Sequence, residues 1–314
     1  MKRFDIVPIC IVDNNCKNMH MNHNIMVCDI KKAIELSNDY VVVISAPKYR
    51  TEIRQQLKEY VDEEKNFDFE AEIYCSFISD IEVYKKYLKS NWDRIEKIYN
   101  CLSDEKSKDV LEAFIMGRLT GNQDYFNKVM IDNQYYTDEL LKFSNQEVMV
   151  EIGSNNGETL LKLLDIVNRK FKSVYCFEPD KECIRALRKV IEEENGNIVL
   201  IEKGAWDKAT KLSFESDSTN GASQIVEGIK NNSYDIETDT VDNCVSEMVS
   251  FIKMDIEGAE KKALLGCENT IKKYKPRLAI CIYHNKEDLL DIAEYVKCIV
   301  QSIKYTYVIT IMVL

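Results

Sequence analysis

From residue 147 to the end of the chain, apolar runs of strand length alternate with amphipathic stretches of helical period. VMVEIG is followed by GETLLKLLDIV, SVYCFEPD by DKECIRALRKVIEEE, and NIVLIEKGAW by a polar region. SFIKMDIEG is then followed by AEKKALLGCENTIKKY, PRLAICIYH by KEDLLDIAEYVKCIV, and YTYVITIMVL closes the series. Continuously apolar strands separated by helices predict a parallel sheet covered on both faces. Residues 146–314 are therefore read as one α/β domain.

The first 145 residues follow other rhythms. Residues 5–13 read as a strand, with Pro8 confining it to an edge or an irregular position. Residues 29–37 read as a short helix and residues 40–45 as a buried strand. A helix is expected from Pro47 through Tyr60, and a further strand near residues 67–77. This alternation predicts a small βαβ module over residues 1–79. Residues 80–145 change to helical spacing, with IEVYKKYLKSNWDRIEKIYNCL amphipathic throughout. SDEKSKDVLEAFIMGRLTG opens on Ser103 as the expected N-cap and ends on Gly121. That segment reads as a helical connector. No internal repeat interrupts the pattern.

Composition narrows the functional classes. The 314 residues carry a net charge of -11, and lysines alternate with acids along the helices. An acidic chain with no basic patch repels phosphate backbones, so nucleic acid is not an expected partner. No apolar run reaches the length of a membrane span. Asp5 and Asp13 and the missing small-residue cleavage site argue against a secretory leader, so a cytoplasmic location is expected. The 11 cysteines are scattered, with no C-x-x-C pair, and read as free thiols in a reducing compartment. His20 and His23 have the i, i+3 spacing of a helix but lack further ligands, and no metal site is assigned to them.

In an open α/β sheet, ligands sit beyond the carboxyl ends of the strands. After VMV comes Glu151-Ile-Gly153-Ser154-Asn155-Asn-Gly157. Gly153 permits a tight turn, and Gly157 opens the helix where a side chain would crowd a ligand. Glu151 beside this turn is unfavourable for a pyrophosphate and suits a cationic ligand. Glu178, in FEPD, lies 21 residues past Gly157. A carboxylate about 20 residues beyond a glycine turn, at the end of the second strand, can accept both hydroxyls of a ribose, and Pro179 fixes it there. In KMDIEGAE, strand alternation would put Lys253, Asp255 and Glu257 on one side. If the strand instead stops at Met254, the acids stand at a helix start. His284 follows the fifth strand and is a candidate base.

VEIGSNNGET, CFEPD, GAW, the TVD of residues 240–242 and, above all, FIKMDIEGAE resemble the FkbM-type methyltransferases. The resemblance covers residues 147–284, and SDEKSKDVLEAFIMGRLTG resembles the helical lead-in of multidomain members. It implies a class I, Rossmann-like doubly wound sheet, preceded by an incomplete Rossmann-like module with no independent cofactor. It further implies that S-adenosyl-L-methionine is the cofactor. Glu151, Gly153, Ser154, Asn155, Gly157 and Thr159 would line its methionine side and Glu178 and Pro179 its ribose. Lys203, Gly204 and Ala205 would border the adenine, and Asp255 would face the methyl group. Family members commonly methylate hydroxyls of sugars, glycans or secondary metabolites, so a small-molecule or glycan acceptor is implied. The fold usually ends in a β-hairpin. Here the chain stops at Leu314 inside the first strand of that hairpin, and YVITIMVL as an unpaired edge predicts homodimer association.

Transfer to an alcohol requires alignment with the methyl carbon and removal of the hydroxyl proton. Asp255 or His284 is the expected base, with Lys253 and Glu257 positioning the acceptor, and the loop Ser218–Ser223 bordering it. One rival is a Mg²⁺-assisted O-methyltransferase with an oxygen-only site of Asp255, Glu257 and Asp242, which Lys253 opposes. Another is a non-catalytic, cofactor-binding homologue. A dehydrogenase is disfavoured by Glu151 and the missing third glycine.

Overall fold

The computed structural model describes residues 8–13, 16, 19–22, 25–44, 49–62, 65–68, 81–120, 124–131, 141–215, 224–225, 233–303, 305 and 309–310. The chain divides into two compact units, Met1–Ser76 and Phe77–Leu314.

In the first unit, Val42–Ile44 and Asn66–Asp68 pair in parallel around the helix Arg50–Leu57, which is the expected βαβ arrangement. Ile44, Leu57 and Val61 form its core. Asp29 starts the helix Ile30–Glu35 by accepting the Lys32 backbone N–H at 2.9 Å. The strand Cys10–Val12 does not join Val42–Ile44. It pairs in parallel with Ile25–Cys28, which also pairs antiparallel with His20–Asn22. His20 thus lies on a strand, where side chains alternate, and not on the helix that its spacing to His23 suggested. His23, Pro47 and Gly121 lie outside the described residues.

The second unit is built on five parallel strands: β1 (Val148–Ile152), β2 (Ser173–Phe177), β3 (Ile198–Ile201), β4 (Phe251–Met254) and β5 (Arg277–Ile280). Their order across the sheet is β5-β4-β1-β2-β3. The two runs reverse direction at β1, which is where a doubly wound sheet opens its crevice. Successive residues of β1 serve opposite cores because side chains alternate. Met149 packs with Leu160, Leu163, Leu164 and Leu187, from the helices Glu158–Ile166 and Lys181–Glu193. Val148, Val150 and Ile152 pack with Leu264, Ile271, Ile292 and Val296 from the helices on the other face. Every residue of β1 and β4 is buried. Burial on both faces is why these strands read as apolar runs, broken only by Glu151 and Lys253, which face each other in register.

Three features differ from expectation. A smaller sheet stands between β3 and β4, in which Thr210–Glu215 pairs antiparallel with Ser233–Asp239, and Ser233–Asp239 pairs in parallel with Gly204–Ala205. Ala205, Phe214, Ile236 and Thr238 are buried in it. The helix Glu105–Thr120 is capped by Asp104 and not by Ser103: Asp104 accepts the Ser107 backbone N–H at 2.8 Å, and Ser103 donates its hydroxyl to Asp104 at 2.7 Å. Finally, Ile309–Thr310 is not an edge of the five-stranded sheet but pairs in parallel with Met130–Ile131. Tyr305 draws this segment to the lead-in helices, since its carbonyl accepts the Ser103 N–H at 2.8 Å and its side chain packs against the core that contains Leu102. The helices Ile81–Ser90, Trp92–Cys101 and Glu105–Thr120 share a core with Leu289, Leu290 and Ala293.

Candidate active site

The turn after β1 is held by its neighbours. Gly153 (φ +80°), Asn155 (φ +46°) and Gly157 (φ +95°) adopt left-handed backbone, which costs little only for glycine and somewhat more for asparagine. A Cβ on Gly153 would overlap the carbonyl oxygen of Asp255. One on Gly157 would lie 3.1 Å from Val190 and 3.2 Å from Leu187, so this glycine admits the helix Lys181–Glu193, besides any role beside a ligand. The Gly153 and Ser154 N–H groups donate to the Phe177 carbonyl at 3.1 and 3.4 Å, which ties the turn to the end of β2.

Glu178 completes that tie. Its Oε2 accepts the Asn155 N–H at 2.7 Å and its Oε1 accepts the Asp180 N–H at 2.9 Å. Each carboxylate oxygen retains a second lone pair. Burial pushes the Glu178 carboxyl up to about 7, against the two backbone N–H groups that favour its ionised form. Pro179 leads into Asp180, whose side chain caps the next helix by accepting the Glu182 N–H at 2.8 Å.

Glu151 is fully enclosed, and burial raises its carboxyl above the usual range although Lys253 nearby opposes this. Lys253 stands opposite it in register on β4, with Nζ 3.9 Å from Glu151 Oε1 and donating to the Gly153 carbonyl at 2.8 Å. Neither Glu151 oxygen accepts a hydrogen bond of good geometry, although the Thr159 and Ser154 hydroxyls stand close enough to favour the ion.

β4 stops at Met254, so Lys253, Asp255 and Glu257 do not share a strand face. Lys253 belongs to the glycine turn. The two acids meet His284 instead, because Glu257 (φ +56°) and Gly258 (φ +97°) turn the chain in left-handed backbone. His284 Nε2 lies 3.4 Å from Asp255 Oδ1 and 3.4 Å from Glu257 Oε2, and its Nδ1 lies 2.9 Å from Glu260 Oε1. Burial disfavours the charged ring, but Glu260, Asp255 and Glu257 together push the imidazole up to about 9. Burial also raises the Glu257 carboxyl. The Tyr283 hydroxyl lies 3.4 Å from Asp255 Oδ1. Asp242 is elsewhere: it accepts the backbone N–H groups of Asn269 and Thr270 at 2.9 and 2.8 Å and caps the helix Glu268–Tyr274. The oxygen-only trio with Asp255 and Glu257 therefore does not form.

On the far side of β2, Lys203 Nζ donates to Asp239 at 2.8 Å, and Gly204–Ala205 pairs with Thr238–Asp239. That contact, with Asn243 and the Thr240 N–H, holds the Asp239 carboxyl down at about 2. The loop Ser218–Ser223 lies outside the described residues.

Residues 151–307, half of the chain, match the family model described as the methyltransferase FkbM domain. The chain belongs to the FkbM methyltransferase family. Among solved structures it is similar to the crystal structure of methyltransferase FkbM from Methylobacillus flagellatus KT, at 23% identity. The likeness covers 90% of this chain and 74% of that one, with a TM-score of 0.68, and it shows a shared fold. No curated protein matches the chain. Among the described residues no helix is long and apolar enough to cross a membrane.

Two contributors escaped the sequence reading. Glu260 closes the FkbM motif KMDIEGAE, and its spacing from Asp255 and Glu257 gave no role until the helix start was placed. Arg118, buried on the helix Glu105–Thr120, donates to the Tyr283 carbonyl at 2.6 Å, next to His284. A lone arginine within the apolar run FIMGRL was the available signal.

Proposed function

We propose that this FkbM-family methyltransferase transfers the methyl group of S-adenosyl-L-methionine to a hydroxyl of a sugar, glycan or secondary metabolite, in the cytoplasm. The observation that carries the reading is the pair of buried carboxylates, Glu151 and Glu178, flanking a left-handed glycine turn where the sheet reverses. An enclosed carboxylate that faces one lysine at 3.9 Å and the hydroxyls of Thr159 and Ser154 still has lone pairs left to accept from an ammonium group. The outer lone pairs of Glu178 suit two ribose hydroxyls, and Lys203 to Ala205, which follow β3, would border the adenine. The cofactor supplies a methyl group activated on a sulfonium.

Asp255 is the group suited to take the hydroxyl proton, since it emerges from the end of β4 partly exposed. His284 already carries a proton at neutral pH and makes a poor base. It acts by fixing the rotamers of Asp255 and Glu257. Titration calorimetry with S-adenosyl-L-methionine tests the first half, and absence of binding would sink the proposal. Radiolabelled methyl transfer onto hydroxylated acceptors tests the second. Asp255→Asn should bind cofactor within about threefold of native and lose at least tenfold in turnover, in the range of general-base losses. Native turnover in that variant would remove Asp255 from its role.

A further inference from the structure

His284, Asp255 and Glu257 come together in a way the transfer step does not require. One imidazole faces three carboxylates, Asp255, Glu257 and Glu260, at 2.9 to 3.4 Å. The ring is 2% exposed, and the Glu260 side chain is fully enclosed. Three carboxylates thus converge on a single imidazole, a gathering of acids that a bound cation would balance.

The geometry agrees. Ligand atoms around a first-row divalent cation stand ~2.0–2.2 Å from it, which sets neighbouring ligands ~3 Å apart. One atom each from Asp255, Glu257 and His284 lie within 4.8 Å of one another, and the two distances from Nε2 are 3.4 Å. The cation would displace the Nε2 proton to solvent, and Glu260 behind the ring, accepting Nδ1–H, would turn the freed Nε2 lone pair forward. Glu260 Oε1 is itself fixed by the Ile256 N–H at 2.9 Å. Asp255 and Glu257 keep 19% and 28% side-chain exposure, so water or a ligand atom can reach the open positions.

We infer that Asp255 Oδ1, Glu257 Oε2 and His284 Nε2 form a site for a divalent transition-metal cation, with Glu260 orienting the histidine. One nitrogen with two carboxylate oxygens fits Mn²⁺ or Zn²⁺ better than Mg²⁺ or Ca²⁺, which prefer oxygen alone. Each carboxylate gives the cation one oxygen, so Asp255 keeps Oδ2 for a substrate proton. The inference rests on side-chain placement and stands apart from the identity of the methyl donor.

The test is titration of the EDTA-stripped full chain with MnCl₂ and with ZnCl₂, followed by calorimetry and, for Mn²⁺, by the loss of its free-ion EPR signal. No cofactor or acceptor is present, so its failure is distinct from a failure of methyl transfer. The native protein should bind one equivalent, and Glu257→Gln and His284→Asn should each bind at least tenfold more weakly. Glu257 is partly exposed, so Glu257→Gln is expected to fold even where His284→Asn does not, and near-UV dichroism checks both. No binding by the native protein, or native affinity in Glu257→Gln, would show that the imidazolium alone balances the acids and would overturn the site.

Discussion

Gly153 sits directly against the carbonyl of Asp255, with no room between them for a side-chain carbon. The glycine turn after β1 and the acid after β4 are thereby held at one fixed separation. Gly153→Ala would bring both overlap with that carbonyl and a left-handed φ of +80°. Strain and overpacking each cost about 1–3 kcal/mol. Chemical denaturation should show a loss of at least about 2 kcal/mol, and any folded fraction should bind cofactor poorly because the turn must move.

Glu178 makes cofactor affinity depend on pH near neutrality. Its carboxyl lies at about 7, and the proposed ribose contacts need the ionised form. Affinity should therefore rise as pH increases from 6 to 8, and binding below pH 7 should release a proton. Calorimetry at pH 6.5 in buffers of different ionisation enthalpy measures that release, and Glu178→Gln should abolish it.

Glu151 serves the fold and, on the proposed reading, the cofactor as well. Enclosure disfavours its charge, and its attraction to Lys253 at 3.9 Å offsets part of that cost. Glu151→Gln strands the buried Lys253 ammonium, so the unfolding free energy should fall by about 3 kcal/mol. A hydrogen bond to a charged group is worth about 1.5–3 kcal/mol, so cofactor affinity of the folded variant should fall roughly 10- to 150-fold. Native affinity in the folded variant would show that the carboxylate serves the fold alone.

His284 links stability to pH in the opposite window from the acids. Its pKa rises from 6.5 in the unfolded chain to about 9 in the fold. The stabilisation is complete below pH 6.5 and is lost as pH rises through 9. In the presence of EDTA, unfolding free energy should decline over that interval. His284→Asn should flatten the decline if the variant folds. Glu257→Gln removes one of the acids that raise the pKa, so it should shorten the interval.

The alternation of apolar runs made the parallel sheet legible because β1, β2 and β4 are buried on both sides and each spends only one position on a polar residue, Glu151, Ser173 and Lys253. The glycine turn and Glu178 were legible because their spacing reflects the length of one helix and one strand. Lys253 was misplaced for a physical reason. Alternation holds only while the strand lasts, and β4 ends at Met254, so the next acids leave the register that a sequence assumes. The Glu260–His284 contact joins residues 24 positions apart, and the turn that sets Asp255 and Glu257 beside it puts a non-glycine, Glu257, in left-handed backbone, which carries no compositional mark. The small sheet between β3 and β4 had a signal, the alternation of Leu212 and Phe214 against Tyr234 and Ile236, but its strands pair antiparallel and stand outside the βα rhythm.

The core that joins the lead-in helices to the helix Asp288–Ile299 has a consequence for how the chain is made. Tyr84, Leu88 and Ile95 are covered by Leu289, Leu290 and Ala293, and Arg94 pairs with Asp291 and Glu294 about 200 residues later. At synthesis rates of roughly 5–20 residues per second, the early helices leave the ribosome about 10–40 s before their partners exist. Throughout that interval their apolar faces are open, and a nascent chain that stalls before residue 288 is the form of this protein most exposed to chaperones and to aggregation.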